Sequence, residues 1–272
     1  LEHEDHEVRE LAARELDFRQ RRETTVRTPL GGNRPPEWSE LIESAGLSEE
    51  FDDLWLNFER ISPTRARAAG KRAIEFIPGL SVQIQNKLTC NMAIDRIRAL
   101  RLIMALELAE HFKREIFAVT NDPTPEVRAT AVRALGRIGD LTSRRILERA
   151  LTQDAPTVQA QAVEALDQMG GITDPGIFIP LLDSVDAHVR AAAVRVLLKQ
   201  REPKAAAVLV SMMQDPRVDH RCMALWVIDQ YRLAAIAPRL REMVKSDPDP
   251  RITRTAEQVL RRLERALTEP DP

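Results

Sequence analysis

The stretch Asp122-Pro123-Thr124-Pro125-Glu126-Val127-Arg128-Ala129-Thr130-Ala131-Val132-Arg133-Ala134-Leu135-Gly136-Arg137-Ile138-Gly139 decides the fold of this chain. Val127, Ala131, Leu135 and Ile138 recur at helical spacing and fall on one face. The leading Asp-Pro pair supplies a capping oxygen and a residue that a helix tolerates only at its start. Gly139 stands where the helix must end, because glycine takes the left-handed conformation without a side-chain penalty.

The stretch returns along the chain. Its first anchor runs Val127, Val158, Val189, His220, Ile252, in steps of 31, 31, 31 and 32 residues. The second anchor is always alanine: Ala131, Ala162, Ala193, Ala224, Ala256. The third runs Leu135, Leu166, Leu197, Ile228, Leu260. A small residue at a fixed place on a helix face fits a close crossing with a neighbouring helix. A second apolar set keeps the same period, Leu147, Phe178, Leu209 and Leu240, with Leu151, Leu182, Met213 and Val244 beside it. Asp215-Pro216 and Asp247-Pro248 repeat the start signal, and Gly170 repeats the stop. The unit is therefore helix, turn, helix, turn, and such units bury their apolar faces only by stacking. Weaker copies extend upstream at Ile97-Arg98, at Ala66-Arg67 behind Pro63, and at Asp5 to Leu16. The chain is thus expected to begin inside a repeat.

The pattern Asp-Pro-x-x-x-Val-Arg-x-x-Ala-x-x-x-Leu-x-x-Ile-Gly at 122–139 resembles the HEAT-like repeats of the phycobilisome-lyase type, over roughly residues 90–267. The resemblance implies an all-α fold, a right-handed α-solenoid of HEAT-like helix pairs. Such repeats occur in bacterial scaffold, lyase and regulatory proteins, so the likeness specifies the fold and says little about activity. Composition agrees: aromatic residues are 4% of the chain, and the β-branched and aromatic runs that mark strands are scarce.

Three regions are expected. Residues 1–61 form an acidic helical segment with a loop at 24–37 that holds Pro29, Gly31, Gly32, Pro35 and Pro36. Residues 62–267 form the repeat array, and 268–272 a tail. After the loop, Trp38–Ser44 and Glu49–Ile61 read as helices, the latter with Phe51, Leu54, Trp55 and Phe58 on an apolar stripe. Residues 1–60 carry 8 Lys+Arg against 16 Asp+Glu, a balance of −8, and the remainder carries 32 against 26, a balance of +6. Self-association through oppositely charged ends, or an oppositely charged partner, follows as an expectation.

Two sets of cations carry the site readings. The arginine after the first anchor recurs as Arg67, Arg98, Arg128, Arg190 and Arg221, and is interrupted by Gln159 and Thr253. Its expected role is a structural ladder to turn aspartates such as Asp122 and Asp215. The second helices of such solenoids usually line the concave face, and their exposed positions hold Arg144, Arg145, Arg149, Lys204, Arg239, Arg241 and Lys245. These are the expected partner-binding residues, and they suit an acidic protein.

Chemistry-bearing groups are sparse. His3-Glu4 and His6-Glu7 share one terminal segment with no facing pair, so a metal site is not expected. His111 and His188 are isolated, and His220 sits at a core anchor as a packing residue. Cys90 and Cys222 have no histidine at fixed spacing and read as packing residues, and Trp226 reads as core. Neither a phosphate loop nor a His-Glu-x-x-His motif occurs. No catalytic residue, metal or cofactor is expected.

The reading is a protein-interaction scaffold or adaptor, not an enzyme. The alternatives are a nucleic-acid-binding or DNA-glycosylase-like HEAT protein, which the net charge of −2 disfavours, and a lyase-type enzyme or chaperone subunit. No stretch is apolar enough to span a bilayer. Two unpaired-looking cysteines favour a reducing compartment. The expectation is a cytoplasmic protein, or the cytosolic part of a longer, membrane-anchored one.

Overall fold

The computed structural model describes residues 51–60, 79–170 and 174–268, together with Gly70, Ala73, Ile74 and Ile77. The expectations for residues 1–50, for Pro63, Ala66 and Arg67, and for the last four residues lie outside the described residues.

The described chain opens with α1 (Phe51–Asn57) and a short 3-10 turn, then α2 (Leu80–Thr89). The helix pairs follow. First helices are α3 (Ala93–Ala105), α5 (Pro125–Ile138), α7 (Pro156–Met169), α8 (Ala187–Lys199), α10 (Val218–Tyr231) and α12 (Pro250–Thr268). Second helices are α4 (Lys113–Val119), α6 (Leu141–Gln153), α9 (Pro203–Met213) and α11 (Ala237–Ser246). Between α7 and α8 the second element is a 3-10 helix, Pro175–Asp183. The described residues contain no strand. First helices stack in series, α3 on α5, α5 on α7, α7 on α8, α8 on α10 and α10 on α12, which makes the array an α-solenoid.

The anchors form its core. Val127, Val158, Val189 and His220 are fully buried, as are all five anchor alanines. Leu147, Phe178 and Leu240 are fully buried under the second row, and Leu209 is nearly so. Each such Val, Leu or Phe contributes about 1.5–3 kcal/mol by leaving water. Close crossing is visible at Gly136, where a β-carbon would lie 2.9 Å from Ala165 Cβ on the neighbouring first helix. Gly139 and Gly170 end α5 and α7 at positive φ, 73° and 69°.

Four expectations are corrected. Asp122, Asp215 and Asp247 do not cap their helices. Each accepts the backbone N–H two residues on, at 2.9 Å from Thr124, Arg217 and Asp249 respectively, and so makes a turn ahead of the helix. The intervening proline has no N–H, so residue i+2 offers the first donor in reach. Side-chain caps among the described residues include Asp140, on Ser143 N at 2.7 Å, Asp186, on His188 N and Val189 N, and Asp249, on Arg251 N at 2.8 Å.

The second correction is one of register. The copy upstream of α5 lies 32 residues away, not 30, because Ala99 and Ile103 are the buried equivalents of Ala131 and Leu135. A step of 30 would place Arg101 at the tight crossing, yet its side chain is 53% exposed. Third, Pro175, Gly176 and Pro180 turn the expected second α-helix around Phe178 into 3-10 geometry. Fourth, Trp226 is 36% exposed. It sits midway between the buried anchors Ala224 and Ile228, so its side chain points away from the core.

Candidate functional site

The arginines divide into those bound inside the array and those that are not. Arg96 donates Nε to Asp122 Oδ2 at 2.7 Å and Nη2 to Oδ1 at 2.9 Å, while Nη1 donates to the carbonyls of Cys90 and Asn91. Arg128 repeats this on Asp154, at 3.0 and 2.7 Å, with Nη1 on the carbonyls of Asp122 and Pro123. Arg221 repeats it on Asp247, at 2.8 and 3.1 Å, with Nη1 on the carbonyls of Asp215 and Pro216. Each guanidinium therefore clamps its own turn and the turn of the next repeat, 26 residues further on. Burial alone would raise the Asp122 carboxyl, but the Arg96 guanidinium and the Thr124 N–H outweigh it and hold it below its ordinary range.

Arg98, expected in this series, does something else. It donates Nε and Nη2 to the Trp55 carbonyl, at 2.9 and 2.8 Å, and its guanidinium lies over the rings of Trp55 and Phe58. Arg190 is a loose member: Nη1 lies 3.8 Å from Asp215, and its buried Nε has no hydrogen-bond partner. The competitor is Arg217, whose Nε and Nη2 each reach an oxygen of Asp215 at 3.0 Å. That contact, more than any other, holds the Asp215 carboxyl well below the usual carboxylate range.

On the second-helix face the seven expected cations separate. Arg144 donates to the Gly170 carbonyl at 2.7 Å, and Arg241 pairs with Glu264 at 2.9 Å. Arg145 and Arg149, one turn apart on α6, Lys204 on α9, and Arg239 and Lys245 on α11 are exposed. None of these five has a side-chain partner among the described residues. Between α9 and α11 runs a groove of about 1360 Å³ lined by the buried Met213 and Met243, the half-buried Val210, the exposed Arg239, Glu242 and Arg251, and the turn carboxylates of Asp215, Asp247 and Asp249. The Asp249 carboxyl beside it is held at about 2 by the Arg251 guanidinium.

The remaining polar groups assemble no reactive centre among the described residues. His220 is fully buried; its Nε2 donates to the Val185 carbonyl at 3.1 Å, and Nδ1 lies 3.6 Å from Asp215 without a hydrogen bond. His111 and His188 are exposed. Cys90 is half-buried, with its thiol on the Lys87 carbonyl, and Cys222 is exposed, so neither is a core packing residue. No group of three or more His, Cys, Asp or Glu could hold a metal among the described residues. No described helix is long and apolar enough to cross a membrane.

A family model for HEAT repeats matches residues 114–176 and 176–261, more than half of the chain. A comparison with curated proteins finds no match. Among solved structures, an engineered protein is similar at 18% identity and a TM-score of 0.43, covering 67% of this chain and 96% of its own. The complex of CpcE and CpcF of phycocyanin lyase from Nostoc sp. is similar at 16% identity and a TM-score of 0.48, covering 91% and 95%. YibA from E. coli is similar at 15% identity and a TM-score of 0.49, covering 90% and 95%.

Proposed function

Because this chain belongs to the HEAT-repeat family, we propose that it is a protein-interaction scaffold whose second-helix face receives an acidic segment of a partner protein. One observation carries the reading. The arginines of the turn ladder are bound internally, whereas Arg145, Arg149, Lys204, Arg239 and Lys245 are exposed and unpaired among the described residues. Unpaired cations on α6, α9 and α11, interrupted at the 3-10 element Pro175–Asp183, raise the encounter rate of an anionic chain. The groove between α9 and α11 adds the apolar side chains of Val210, Met213 and Met243 to the lining that includes Arg239, where side chains between the partner's carboxylates can be buried. Charge reversal here reads directly on recognition, since no ladder contact uses these residues.

The test measures a fluorescein-labelled peptide of alternating Glu and Leu by anisotropy, with duplex DNA of equal charge in a parallel titration. The peptide binds saturably, more weakly as salt rises. The combined Arg145→Glu, Arg149→Glu and Arg239→Glu variant weakens it at least tenfold. Peptide affinity unchanged in that variant, or DNA bound more tightly than the peptide, overturns the reading.

A further inference from the structure

The first-helix face carries a second charged feature with a different character. Arg101 and Arg133 occupy the same place in successive repeats, 32 residues apart, and Arg137 follows Arg133 by one helical turn. Elsewhere on this face cations meet carboxylates. Arg195 and Lys199 converge on Asp167, and Arg262 pairs with Asp229. The cluster lacks this compensation. Arg133 and Arg137 reach solvent with no hydrogen-bond or ion-pair partner among the described residues, although the Arg133 guanidinium is partly desolvated, and Arg101 meets the Glu59 carboxylate only loosely, at 4.0 Å. The Arg133 guanidinium is pushed below its ordinary range by burial first, then by the charges of Arg101 and Arg137, with only Glu164 acting in the opposite direction. Three guanidiniums that repel one another, on rigid helices, are a preformed complement to a multiply charged anion.

The anion is compact. One repeat on, the same column holds Glu164, and the next cation, Arg195, is already neutralised by Asp167. A polyanion lying along the array would meet that carboxylate, whereas a single group of two or more charges fits the cluster. Arg137 also lines a cleft of about 240 Å³ with Met104, Glu107, Ala109 and Glu110, and Glu110 is drawn to Lys113 at 3.5 Å. Those carboxylates bound the positive patch and leave room beside it for the group that carries the anion. Guanidinium forks match the oxygen spacing of a phosphoryl group better than they match a point charge.

We propose that Arg101, Arg133 and Arg137 form a binding site for one phosphoryl group, separate from the second-helix face. The group comes either on a phosphorylated side chain of a partner or as a free phosphorylated small molecule. The test uses a labelled Gly-Ala hexapeptide bearing one phosphoserine, its unphosphorylated twin, and inorganic phosphate as competitor, all at constant ionic strength. The phosphopeptide binds saturably and the twin does not. Arg133→Gln with Arg137→Gln weakens binding at least tenfold, while Arg145→Gln with Arg149→Gln leaves it unchanged. Because the exchange removes the mutual repulsion of the cluster, the urea midpoint of the first pair stays at or above that of the unaltered chain. Inorganic phosphate competing at the peptide's own dissociation constant identifies the free anion as the source. A phosphopeptide at least tenfold tighter than phosphate identifies the side-chain form. Absence of saturable binding by both probes, or equal binding by the Arg133/Arg137 variant, overturns the site.

Discussion

Arg128 grips Asp154 with two nitrogens of its fork while its third nitrogen holds the carbonyls of Asp122 and Pro123. One side chain thus fixes the turn that precedes its own helix and the turn that precedes the next. The contact is charge-assisted and partly withdrawn from water, with 19% of each side chain exposed. Its loss leaves two carbonyls without this donor and the Asp154 carboxylate with only the Ala155 N–H, so Arg128→Ala is expected to destabilise the chain by about 2 kcal/mol. Arg221 and Asp247 are more deeply buried, at 8% and 5%, so Arg221→Ala should cost more, about 3–5 kcal/mol. Urea unfolding followed by circular dichroism ranks the two. An Arg221 variant that unfolds at the wild-type midpoint would mean that the clamps do not tie repeats together.

Asp215 shows what happens when a clamp has a rival. Arg217 takes both of its oxygens, and Arg190 is left 3.8 Å away. Arg217 is half-exposed, so removing it forfeits little, while the freed carboxylate can accept the better-buried Arg190. Arg217→Ala is expected to shift stability by less than about 0.5 kcal/mol in either direction. The coupling between Arg190 and Asp215, measured by a double-mutant cycle, should rise in that background. A coupling that stays the same or falls contradicts the competition.

Acid should loosen the second row through Asp140. The Lys113 ammonium, hydrogen-bonded to it from α4, is the main cause that pulls this carboxyl down to about 2, and the Ser143 N–H of α6 adds to it. The folded value lies below the unfolded one, so the contribution is complete above pH about 4 and disappears as pH falls towards 2. The Lys113 value is raised, so its share is present below the ordinary lysine value and is lost only as pH rises beyond it. Neutral pH therefore lies on a plateau. Asp140→Asn keeps a capping oxygen but removes the charge. Its urea midpoint should fall less steeply between about pH 4 and pH 2 than that of the unaltered chain. Identical acid profiles would assign the acid response elsewhere.

The period of the array was legible because geometry restricts its anchors. The five anchor alanines are fully buried between packed helices, where a small side chain suits the close stacking, so Ala131, Ala162, Ala193, Ala224 and Ala256 spell the spacing. Where the register slipped, a look-alike intervened. Ile97-Arg98 imitates Val127-Arg128, but the alanine that seats the helix is Ala99, and the clamp is accordingly Arg96. Asp154 is not legible as a clamp partner, because Ala155 separates it from Pro156 and the Asp-Pro signature is missing there. The candidate cations were legible as charges, not as free charges. The Gly170 carbonyl that engages Arg144 and the Glu264 that engages Arg241 lie 26 and 23 residues away, and helix packing alone brings them near. The uncompensated state of Arg133 and Arg137 was invisible for the same reason, since a sequence shows arginines and not the carboxylates that fail to meet them.

Gly136 tests the crossing itself. A glycine inside a helix normally costs about 1 kcal/mol relative to alanine, so Gly136→Ala on an isolated helix would be a gain. In this array a β-carbon at position 136 would lie 2.9 Å from Ala165 Cβ and 3.1 Å from Ala165 Cα, closer than packed carbons approach. Both neighbours belong to the adjoining first helix, α7, so relief requires the two axes to separate and the apolar seam between them to loosen. Overpacking of this kind costs about 1–3 kcal/mol, which exceeds the propensity gain. Gly136→Ala should therefore destabilise the chain by about 1 kcal/mol net. Ala165→Gly removes the closest contact, so Gly136→Ala should cost less in that background than alone, and the difference is the coupling across the seam. If Gly136→Ala is as harmful in the Ala165→Gly background as it is alone, the side-chain contact does not set the spacing, and the Ala165 backbone at 3.1 Å is the barrier instead.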